Sequence, residues 1–383
     1  MMEIEINFDA INRMAKLTEG NSLLCYQCGT CSATCPYAYL GEKDISVRRL
    51  IRYAQLGQPV NDKSLWLCSM CAHCEFACPR GVEITKVLRG LRVLAQEQKL
   101  VPDKVNEILW MLYENGNPWG FTKTDLKKTL VKLKIKQKAS ANPVKVAIHP
   151  CCMVYIDPMI QKMTKNVLTI LEKADISYSY ITGDKACCGD FIYQVGEDAF
   201  LEEYVNQKMA ELEQINAEVI LVISPHSQYM FKNVYPKFGV ELPAPVVHYV
   251  EYLAELVDDS KLSFEKLNEP ITYHDPCYLG RKGDKIYEEP RKILELVTND
   301  NLVEMEHNKN NAICCGAGGG LMFLDIDEHP PSTIRIREAN DVGAKVLATA
   351  CPYCMRMFDD AAKIIKPAPE ITDVSSVLLK ALR

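Results

Sequence analysis

The sequence VKVAIHPCC (Val144–Cys152) places a short β-rich run directly before two cysteines, and it decides the fold of the longer part of the chain. The same arrangement returns in the sequence ITYHDPC (Ile271–Cys277). Short runs of high β-propensity that alternate with helical stretches are typical of a fold in which each strand is followed by a helix. The chain from Pro143 onward is therefore predicted to be α/β.

This α/β part is an internal duplication. The run Cys187–Gly189 in the first copy corresponds to Cys314–Gly316 in the second. In both copies 35 residues separate the second cysteine of that run from a later motif, which reads SPHS (Ser224–Ser227) in the first and CPYC (Cys351–Cys354) in the second. Each copy is predicted to form one Rossmann-like βα half, and the first copy has lost its final CxxC to serines.

Two further cysteine runs stand near the start of the sequence, CYQCGTCSATCP (Cys25–Pro36) and CSMCAHCEFACP (Cys68–Pro79). Both have the spacing of bacterial ferredoxins that hold two [4Fe-4S] clusters, in which the fourth cysteine of each run binds the other cluster. The assignment of the fourth cysteine to the other cluster follows from this ferredoxin motif, and the spacing alone does not prove it. It predicts a first cubane set of Cys25, Cys28, Cys31 and Cys78, and a second cubane set of Cys68, Cys71, Cys74 and Cys35.

Zinc and disulfide bonds are the competing explanations for so many cysteines. CxxC pairs also suit tetrahedral zinc, but two complete runs that each end in Cys-Pro are improbable zinc sites. Disulfides are typical of exported proteins. The 17 cysteines are an odd number, and the stretch MMEIEINFDAINRMAKLTEG lacks the apolar core of a signal peptide. A cytoplasmic protein with metal-bound cysteines is therefore expected.

Composition excludes two classes of partner. The formal net charge of −6 argues against a dedicated nucleic-acid binder. The most apolar runs, such as Val219–Ile223, are too short to cross a bilayer, so no membrane span is predicted. Any association with a membrane is expected to come through a partner subunit.

The chain is predicted to be a mixed protein with four segments. Helices are expected at 44–56 and 84–100, and a lysine-rich stretch at 122–143 reads as a linker or a surface helix. The predicted segments are a helical ferredoxin-like domain with two [4Fe-4S] clusters at 1–100, a helical or basic linker at 101–142, the first repeat at 143–268 and the second repeat at 269–383.

Three motifs of the second repeat resemble a known family. YHDPCYLGR (Tyr273–Arg281), CCGAGGG (Cys314–Gly320) and TACPYC (Thr349–Cys354) look like the CCG domain of heterodisulfide reductase. The two N-terminal runs resemble the small ferredoxin-like subunit of that enzyme. The chain is thus similar to a fusion of subunits C and B, and the resemblance implies an iron–sulfur electron-transfer subunit of a larger complex.

The resemblance also implies a noncubane [4Fe-4S] cluster in the second repeat. Neighbouring cysteines have diverging side chains, so they suit different irons of one cluster better than a single small ion. Five thiolates also exceed the four that a cube or a zinc ion needs. The implied ligands, which are also the candidate catalytic site, are called the second-repeat set: Cys277, Cys314, Cys315, Cys351 and Cys354.

The first repeat departs from the family pattern at Ser224 and Ser227, because a hydroxyl is a poor ligand for iron–sulfur chemistry. Its remaining cysteines, called the first-repeat set, are Cys151, Cys152, Cys187 and Cys188, with His149 and His226 near them in motif order. Three outcomes stay open for this set: a further iron–sulfur cluster, a structural zinc, or no metal with a redox-active cysteine pair.

Two functions compete under this resemblance. In the first, the protein takes electrons from a flavin-containing subunit and reduces a small disulfide substrate to thiols at the second-repeat cluster. In the second, it is a relay subunit without a substrate of its own, feeding an aromatic acyl-CoA reductase or an electron-transfer flavoprotein complex. The complete second repeat favours catalysis, and the serines of the first favour the relay. Both functions need partner subunits.

Three residues beside the motifs are candidates for secondary roles. Arg281 and Lys282 follow Cys277 closely and would neutralise a substrate carboxylate or sulfonate, although basic surface residues without such a role are commoner. His73 lies inside the second cysteine run and would either tune a cluster potential or face solvent.

Overall fold

A computed structural model describes residues 6–41, 45–59, 62–133, 143–181, 183–258, 262–324 and 330–383. The protein is mixed, with helices throughout and two small parallel sheets. The helices are α1 (Phe8–Leu17), α2 (Thr30–Ala33), α3 (Val47–Leu56), α4 (His73–Phe76), α5 (Ile84–Glu97), α6 (Asp103–Asn115), α7 (Lys123–Lys132), α8 (Pro158–Lys173), α9 (Asp190–Gln194), α10 (Asp198–Leu212), α11 (Pro225–Tyr229), α12 (Tyr249–Asp258), α13 (Glu288–Val297), α14 (Ser332–Asp341), α15 (Pro352–Ile364) and α16 (Val374–Ala381). The strands are β1 (Val144–His149), β2 (Tyr178–Tyr180), β3 (Ala217–Val222), β4 (Val246–His248), β5 (Ile271–His274), β6 (Val346–Thr349) and β7 (Glu370–Asp373).

The N-terminal part is helical, and its longer helices are amphipathic. Helix α3 begins after Ser46, whose side chain accepts a hydrogen bond from the backbone N–H of Arg49, as an N-cap does. It ends at Gly57, which has a φ of 65°. An added Cβ there would lie 2.1 Å from the carbonyl oxygen of Asn7, so only glycine lets the segment before α1 pack against this turn. Helices α1, α3 and α5 contact one another, and the short helices α2 and α4 lie within the two cysteine runs, at Cys31 and Cys74.

The first sheet has the order β2-β1-β3-β4, with every neighbouring pair parallel. Its central strands β1 and β3 are largely buried, as parallel strands covered by helices are. A motif follows the carboxyl end of each of these strands. Pro150 and the first cysteine pair come after β1, and the SPHS motif that begins at Ser224 comes after β3. Ligands of open α/β sheets bind at the carboxyl ends of the strands, and this edge carries the cysteines of the first repeat.

The second sheet has the order β5-β6-β7 and is also parallel. The counterpart of β2 is reduced to a single bridge between Ile271 and Leu302. All four residues of β5 are buried, and all four of β6. The carboxyl ends of these two strands lead into the loops of Cys277 and Cys351, so the second repeat presents its cysteines in the same way as the first.

The stretch between the cysteine runs and the first sheet carries helices α6 and α7. Gly116, which ends α6 with a φ of 65°, accepts a backbone hydrogen bond of 3.1 Å from Cys187, so α6 is tied to the first-repeat cysteines. The first part of the lysine-rich stretch forms α7, and residues 134–142 lie outside the described ranges. Among the described residues, no helix combines the length and the apolar character that crossing a bilayer requires.

Candidate metal centres

The fourth cysteine of each N-terminal run lies near residues of the other run, and the short helices α2 and α4 of the two runs contact each other. Burial, followed by the thiols of Cys68 and Cys71, raises the pKa of Cys35 to about 12, so Cys35 lies beside the second loop. The thiol of Cys78 reaches the opposite loop, because desolvation, then Cys28 and then Cys78 raise the pKa of Tyr26. These neighbours are those that the crossed pairing of the two cubane sets requires.

The two cubane sets differ in exposure. Cys28 is exposed and Cys25 half-buried, and exposed apolar side chains flank them in the chain. In the second set Cys71 and Cys74 are buried. The first cubane set, in which Cys31 alone is buried, is therefore more exposed than the second, in which two of the four cysteines are buried.

The second-repeat set is gathered in one buried site. The thiol of Cys354 lies 3.2 Å from that of Cys315. The thiol of Cys314 makes hydrogen bonds with those of Cys277 and Cys315, and these contacts together with burial raise its pKa well above the ordinary value. Cys351 joins them through Cys354. Five thiols this close, each at most 8% exposed, are a donor set suited to a multi-iron cluster.

The second cubane set and the second-repeat set are in direct contact. A hydrogen bond between the thiols of Cys71 and Cys314 is the main cause of a strongly lowered pKa of Cys71. These two cysteines belong to motifs that are far apart in the chain. The ferredoxin-like loops are thus packed against the second repeat at the cysteines themselves.

Glycines of the CCGAGGG motif make this contact sterically possible. A Cβ at Gly319 would lie 2.2 Å from the carbonyl oxygen of Cys68, and one at Gly318 would lie 2.4 Å from that of Ser69. Real Cβ atoms do not approach backbone so closely, and Gly319 also has a φ of 64°. The motif therefore needs glycine here in order to bring the backbone of the second cysteine loop against the second repeat.

Two arginines lie at this junction, of which Arg281 is half-buried and Arg92 is fully buried. Arg281 donates to the carbonyl oxygens of Cys71 at 3.0 Å, Asn310 at 2.8 Å and Ala312 at 2.6 Å. Its Nη2 is buried without a partner among the described residues. Arg281 also lines a cavity that Lys282 shares, so its contact with a substrate stays a prediction. Its hydrogen bonds link the two cysteine sites.

Arg92, fully buried in α5, joins three parts of the chain. Its guanidinium donates to the carbonyl oxygens of Leu65, Cys68, Gln194 and Gly319 at 2.7–3.2 Å and lies over the ring of Trp66. Burial lowers its pKa to about 10, against the opposing effect of Cys68. Within the described residues neither Arg92 nor Arg281 has a carboxylate partner. A buried cation without a counter-charge is costly, so both fit a site that holds an anionic thiolate cluster.

The first-repeat set is a second group of adjoining thiols. The thiol of Cys187 makes hydrogen bonds with those of Cys152 and Cys188, and Cys152 makes one with Cys151. These contacts and burial raise the pKa values of Cys152, Cys187 and Cys188 well above the ordinary range. Four buried thiols that repel one another's ionised forms suit a site completed by a metal cation.

A buried polar group lies between the two repeats. Nδ1 of His226 is 3.0 Å from a carboxylate oxygen of Asp190, and the imidazole also makes a hydrogen bond with Cys351. Burial alone would lower the pKa of His226, but Asp190 and Cys351 raise it well above its ordinary value. Burial alone would raise the pKa of Cys351, but hydrogen bonds from Cys354 and His226 lower it to about 6.

Some of these residues were missed in the sequence. Arg92 was not among the predicted site residues. It is buried in α5 beside apolar residues such as Leu88 and Leu91, and a buried arginine is not expected at such a position. Nothing in the sequence marked Asp190 as a site residue except its position directly after Cys187–Gly189. His73 is 5% exposed with Nδ1 unpartnered among the described residues, so the expectation that it faces solvent is wrong.

Lys282 lines a cavity of about 640 Å³ between α5, the first repeat and the loop that follows Cys277. Its Nζ lies 3.8 Å from the ring centroid of Tyr278 and 4.9 Å from that of Tyr229. Arg89 and Lys86, which also line the cavity, are paired with acidic side chains. The cavity thus brings a lysine and tyrosine rings close to the second-repeat set.

Two family models match the chain. The model described as a cysteine-rich domain, CCG, matches residues 146–232 and again 271–359. The model described as a 4Fe-4S dicluster domain matches residues 21–82. The two models cover the four cysteine sets between them.

Curated relatives share most of the chain at modest identity. A probable iron–sulfur-binding oxidoreductase of Bacillus subtilis, FadF, is 29% identical over 85% of this chain and 47% of its own length. An EtfAB:quinone oxidoreductase of Syntrophomonas wolfei is 28% identical over 84% of this chain and 47% of its own length. A subunit of the dihydromethanophenazine:CoB–CoM heterodisulfide reductase of Methanosarcina acetivorans is 29% identical over 94% of this chain and 93% of its own length. The chain spans about half the length of the first two.

Proposed function

We propose that the chain, which is similar to a heterodisulfide reductase subunit over most of its length, carries single electrons from a flavin-containing partner to an acceptor at the second repeat. Residues 1–100 would act as a ferredoxin-like domain, and 143–268 and 269–383 as Rossmann-like halves joined to it by 101–142. The observation that carries the proposal is the contact of Cys71 with Cys314, which joins a cubane set to the second-repeat set.

The cofactors would be two cubane [4Fe-4S] clusters and one noncubane [4Fe-4S] cluster. The two cubane sets would hold the first two, and the second-repeat set the third. When bound, such clusters supply one-electron transfer at potentials set by nearby charges and hydrogen bonds. The chain's own part is to hold the three sets in contiguous order, exposed at Cys28 and buried at Cys314.

The first-repeat set would hold a separate metal centre, either zinc or a further iron–sulfur cluster. Its four thiols suffice for a closed tetrahedral zinc site. Its serines at 224 and 227 leave it short of the five cysteines of the second repeat. This set would therefore support the fold or store an electron, rather than bind a substrate.

The burial of the second-repeat cysteines favours the relay function over disulfide reduction. Every member of the second-repeat set is at most 8% exposed, so a disulfide would have to displace buried side chains in order to reach these cysteines. Reduction of a small disulfide remains the second candidate because the five-cysteine set is complete. A small acceptor with an anionic group would fit the cavity beside Lys282, which also leads to Tyr278 next to Cys277.

Electrons would enter at the surface around Cys28, called the entry face. Its exposed apolar side chains are Leu23, Leu24 and Tyr26, with Phe76 two residues before Cys78. Arg80 is exposed and close to Tyr26. An apolar centre with an arginine beside it fits a redox partner that has acidic residues around its own cofactor.

Reversing one charge of the entry face tests this function. We expect Arg80→Glu to slow reduction of the protein by the hydroquinone of an acidic flavodoxin about 10-fold at low salt, because charge reversal removes electrostatic steering. The rate is followed by anaerobic stopped-flow bleaching of the visible absorption. Raising the ionic strength should narrow the difference between the variant and the wild type.

The matched control is Arg13→Glu, since Arg13 is an exposed arginine of α1 that pairs with Glu97. Reduction by dithionite, a small reductant, should be equally fast in all three proteins. Equal rates with flavodoxin for Arg80→Glu and the wild type would rule out this face as the entry point. Failure of flavodoxin and dithionite alike to bleach the wild type would rule out the electron-transfer function itself.

A further inference from the structure

The first cysteine of each N-terminal run has a backbone carbonyl that accepts a hydrogen bond from a side chain, but the two donors differ in charge. The carbonyl oxygen of Cys25 accepts from the neutral amide of Gln55 at 2.7 Å. That of Cys68, at the same place in the second run, accepts from the guanidinium of Arg92 at 3.0 Å. The second run therefore has a cation where the first has an uncharged group.

A second guanidinium contacts the second run at Cys71. Nε of Arg281 donates to the carbonyl oxygen of Cys71 at 3.0 Å, and Nη1 donates to that of Ala312, two residues before Cys314, at 2.6 Å. Nη2 is buried and has no partner among the described residues. Buried donors are rarely left unpaired, so this nitrogen is available to a group that binds at the junction of the two cysteine sites.

Neither guanidinium is neutralised by a carboxylate. Within the described ranges Arg92 and Arg281 have carbonyl oxygens as their hydrogen-bond partners. The chain does pair another buried arginine fully, since the guanidinium of Arg291 lies 2.7 Å from Asp275 and 2.6 Å from Glu304. A guanidinium stays protonated at neutral pH, and a cation removed from water without a counter-charge is costly. The two positive charges therefore suit anionic groups held by the adjacent cysteines.

Other charged residues beside the two runs do not cancel this difference. Arg48 lies beside Gly29 of the first run, and Arg80 follows Cys78, but both arginines are exposed, so solvent and salt screen their charges. In the second run Glu75 is half-buried, and it is one carboxylate against two guanidiniums. The second cubane set is therefore beside more positive charge that water does not screen.

We propose that Arg92 and Arg281 raise the reduction potential of the cluster held by the second cubane set above that of the cluster held by the first. Electrons that enter at the first, more exposed set would then move inwards to the second. This inference rests on the proposed function of the two cubane sets. Reduction adds a negative charge to a cluster, and a fixed positive charge nearby stabilises the reduced state. Both arginines are positioning residues, because they bind no substrate and act on the cluster through its surroundings.

The test is Arg281→Met, which keeps an unbranched side chain but removes the charge and the N–H groups. Iron content and the midpoint potentials of all clusters are measured by an anaerobic redox titration followed by electron paramagnetic resonance. We expect full iron content, a lower potential for the second cubane and an unchanged potential for the first. The equilibrium constant for electron transfer from the first cubane to the second should fall by about 10-fold, because one unit charge beside the acceptor is lost.

Gln55→Lys is the converse variant, and it also assigns the signals. It places a cation beside the carbonyl oxygen of Cys25, at the half-buried position that corresponds to Arg92 in the second run. The potential of the first cubane should rise, while that of the second stays unchanged. Arg13→Met is the matched control, because it removes the charge of an exposed arginine that pairs with Glu97. It should leave all potentials unchanged.

The outcomes are distinguishable. Unchanged cubane potentials in Arg281→Met with full iron overturn the proposal, as do equal shifts of both cubanes. If Arg281→Met loses iron, Gln55→Lys decides, and an unshifted first cubane in that variant overturns the proposal. Fewer than two cubane signals in the wild type would refute the proposed function of the two cubane sets instead.

Discussion

Replacing Cys351 with serine should remove the cluster of the second-repeat set and abolish electron delivery to any acceptor, while both cubanes stay loaded. A serine hydroxyl is a poor ligand for iron–sulfur chemistry. Cys351 also contacts Cys354 and His226, so its loss opens the buried set on two sides. Iron analysis should show a loss of about four irons, and the paramagnetic signals of the cubanes should persist.

Cys187→Ser is the matched control for this experiment. Cys187 is equally buried and belongs to the first-repeat set, whose thiols are separate from the second-repeat set. That variant should keep the second-repeat signal. Wild-type iron content and turnover in Cys351→Ser would show that Cys351 is not a ligand and that the electron path ends elsewhere.

Arg92→Met should lower the free energy of unfolding by about 3–5 kcal/mol, because it leaves several buried carbonyl oxygens unpaired at about 1–3 kcal/mol each. Arg92 bonds to carbonyl oxygens of the second cysteine loop, the first repeat at Gln194 and the second repeat at Gly319. Methionine fills a similar volume but leaves these acceptors unpaired. Thermal unfolding, followed by circular dichroism and by loss of the visible absorption, measures the effect.

An exposed arginine provides the comparison for Arg92. Arg13→Met removes a surface ion pair with Glu97, which is worth at most about 1 kcal/mol. The visible absorption of Arg92→Met should be lost at a lower temperature than that of Arg13→Met. Equal unfolding temperatures for the two variants would mean that Arg92 does not hold the three parts together.

Local features of the fold were predictable because they depend on neighbouring residues. The runs VKVAIH and ITYH form strands β1 and β5 at the predicted residues, since each is a short apolar run of high β-propensity. The helix predicted at 84–100 is present as Ile84–Glu97. The strands β2, β4 and β7 were not predicted, because each has only three or four residues and no cysteine motif directly after it.

The site was less predictable, because its decisive contacts join distant parts of the chain. Cysteine spacing indicated which residues form each set, but not that Cys71 would touch Cys314. The steric role of the glycines of GAGGG likewise depends on the fold. Positive φ is seen at Gly316, Gly319 and Gly320, and the close neighbour at Gly319 is the backbone of Cys68.

The position of His226 lay beyond sequence reasoning for the same reason. The substitution of serines for cysteines was visible and suggested a loss of function in the first repeat. Only the packing of the repeats brings Asp190 and His226 against Cys351. A motif that looks degenerate along the chain can thus place a group beside the site of its partner repeat.

The central claim is that cysteines at these spacings hold several iron–sulfur clusters in contact with one another. Combined iron and acid-labile sulfide determination on anaerobically purified, full-length protein tests it most directly. We predict about twelve irons per chain or more, from two cubanes and one noncubane cluster. Fewer than about eight irons per chain in such a preparation would contradict even the assignment of the two cubane sets.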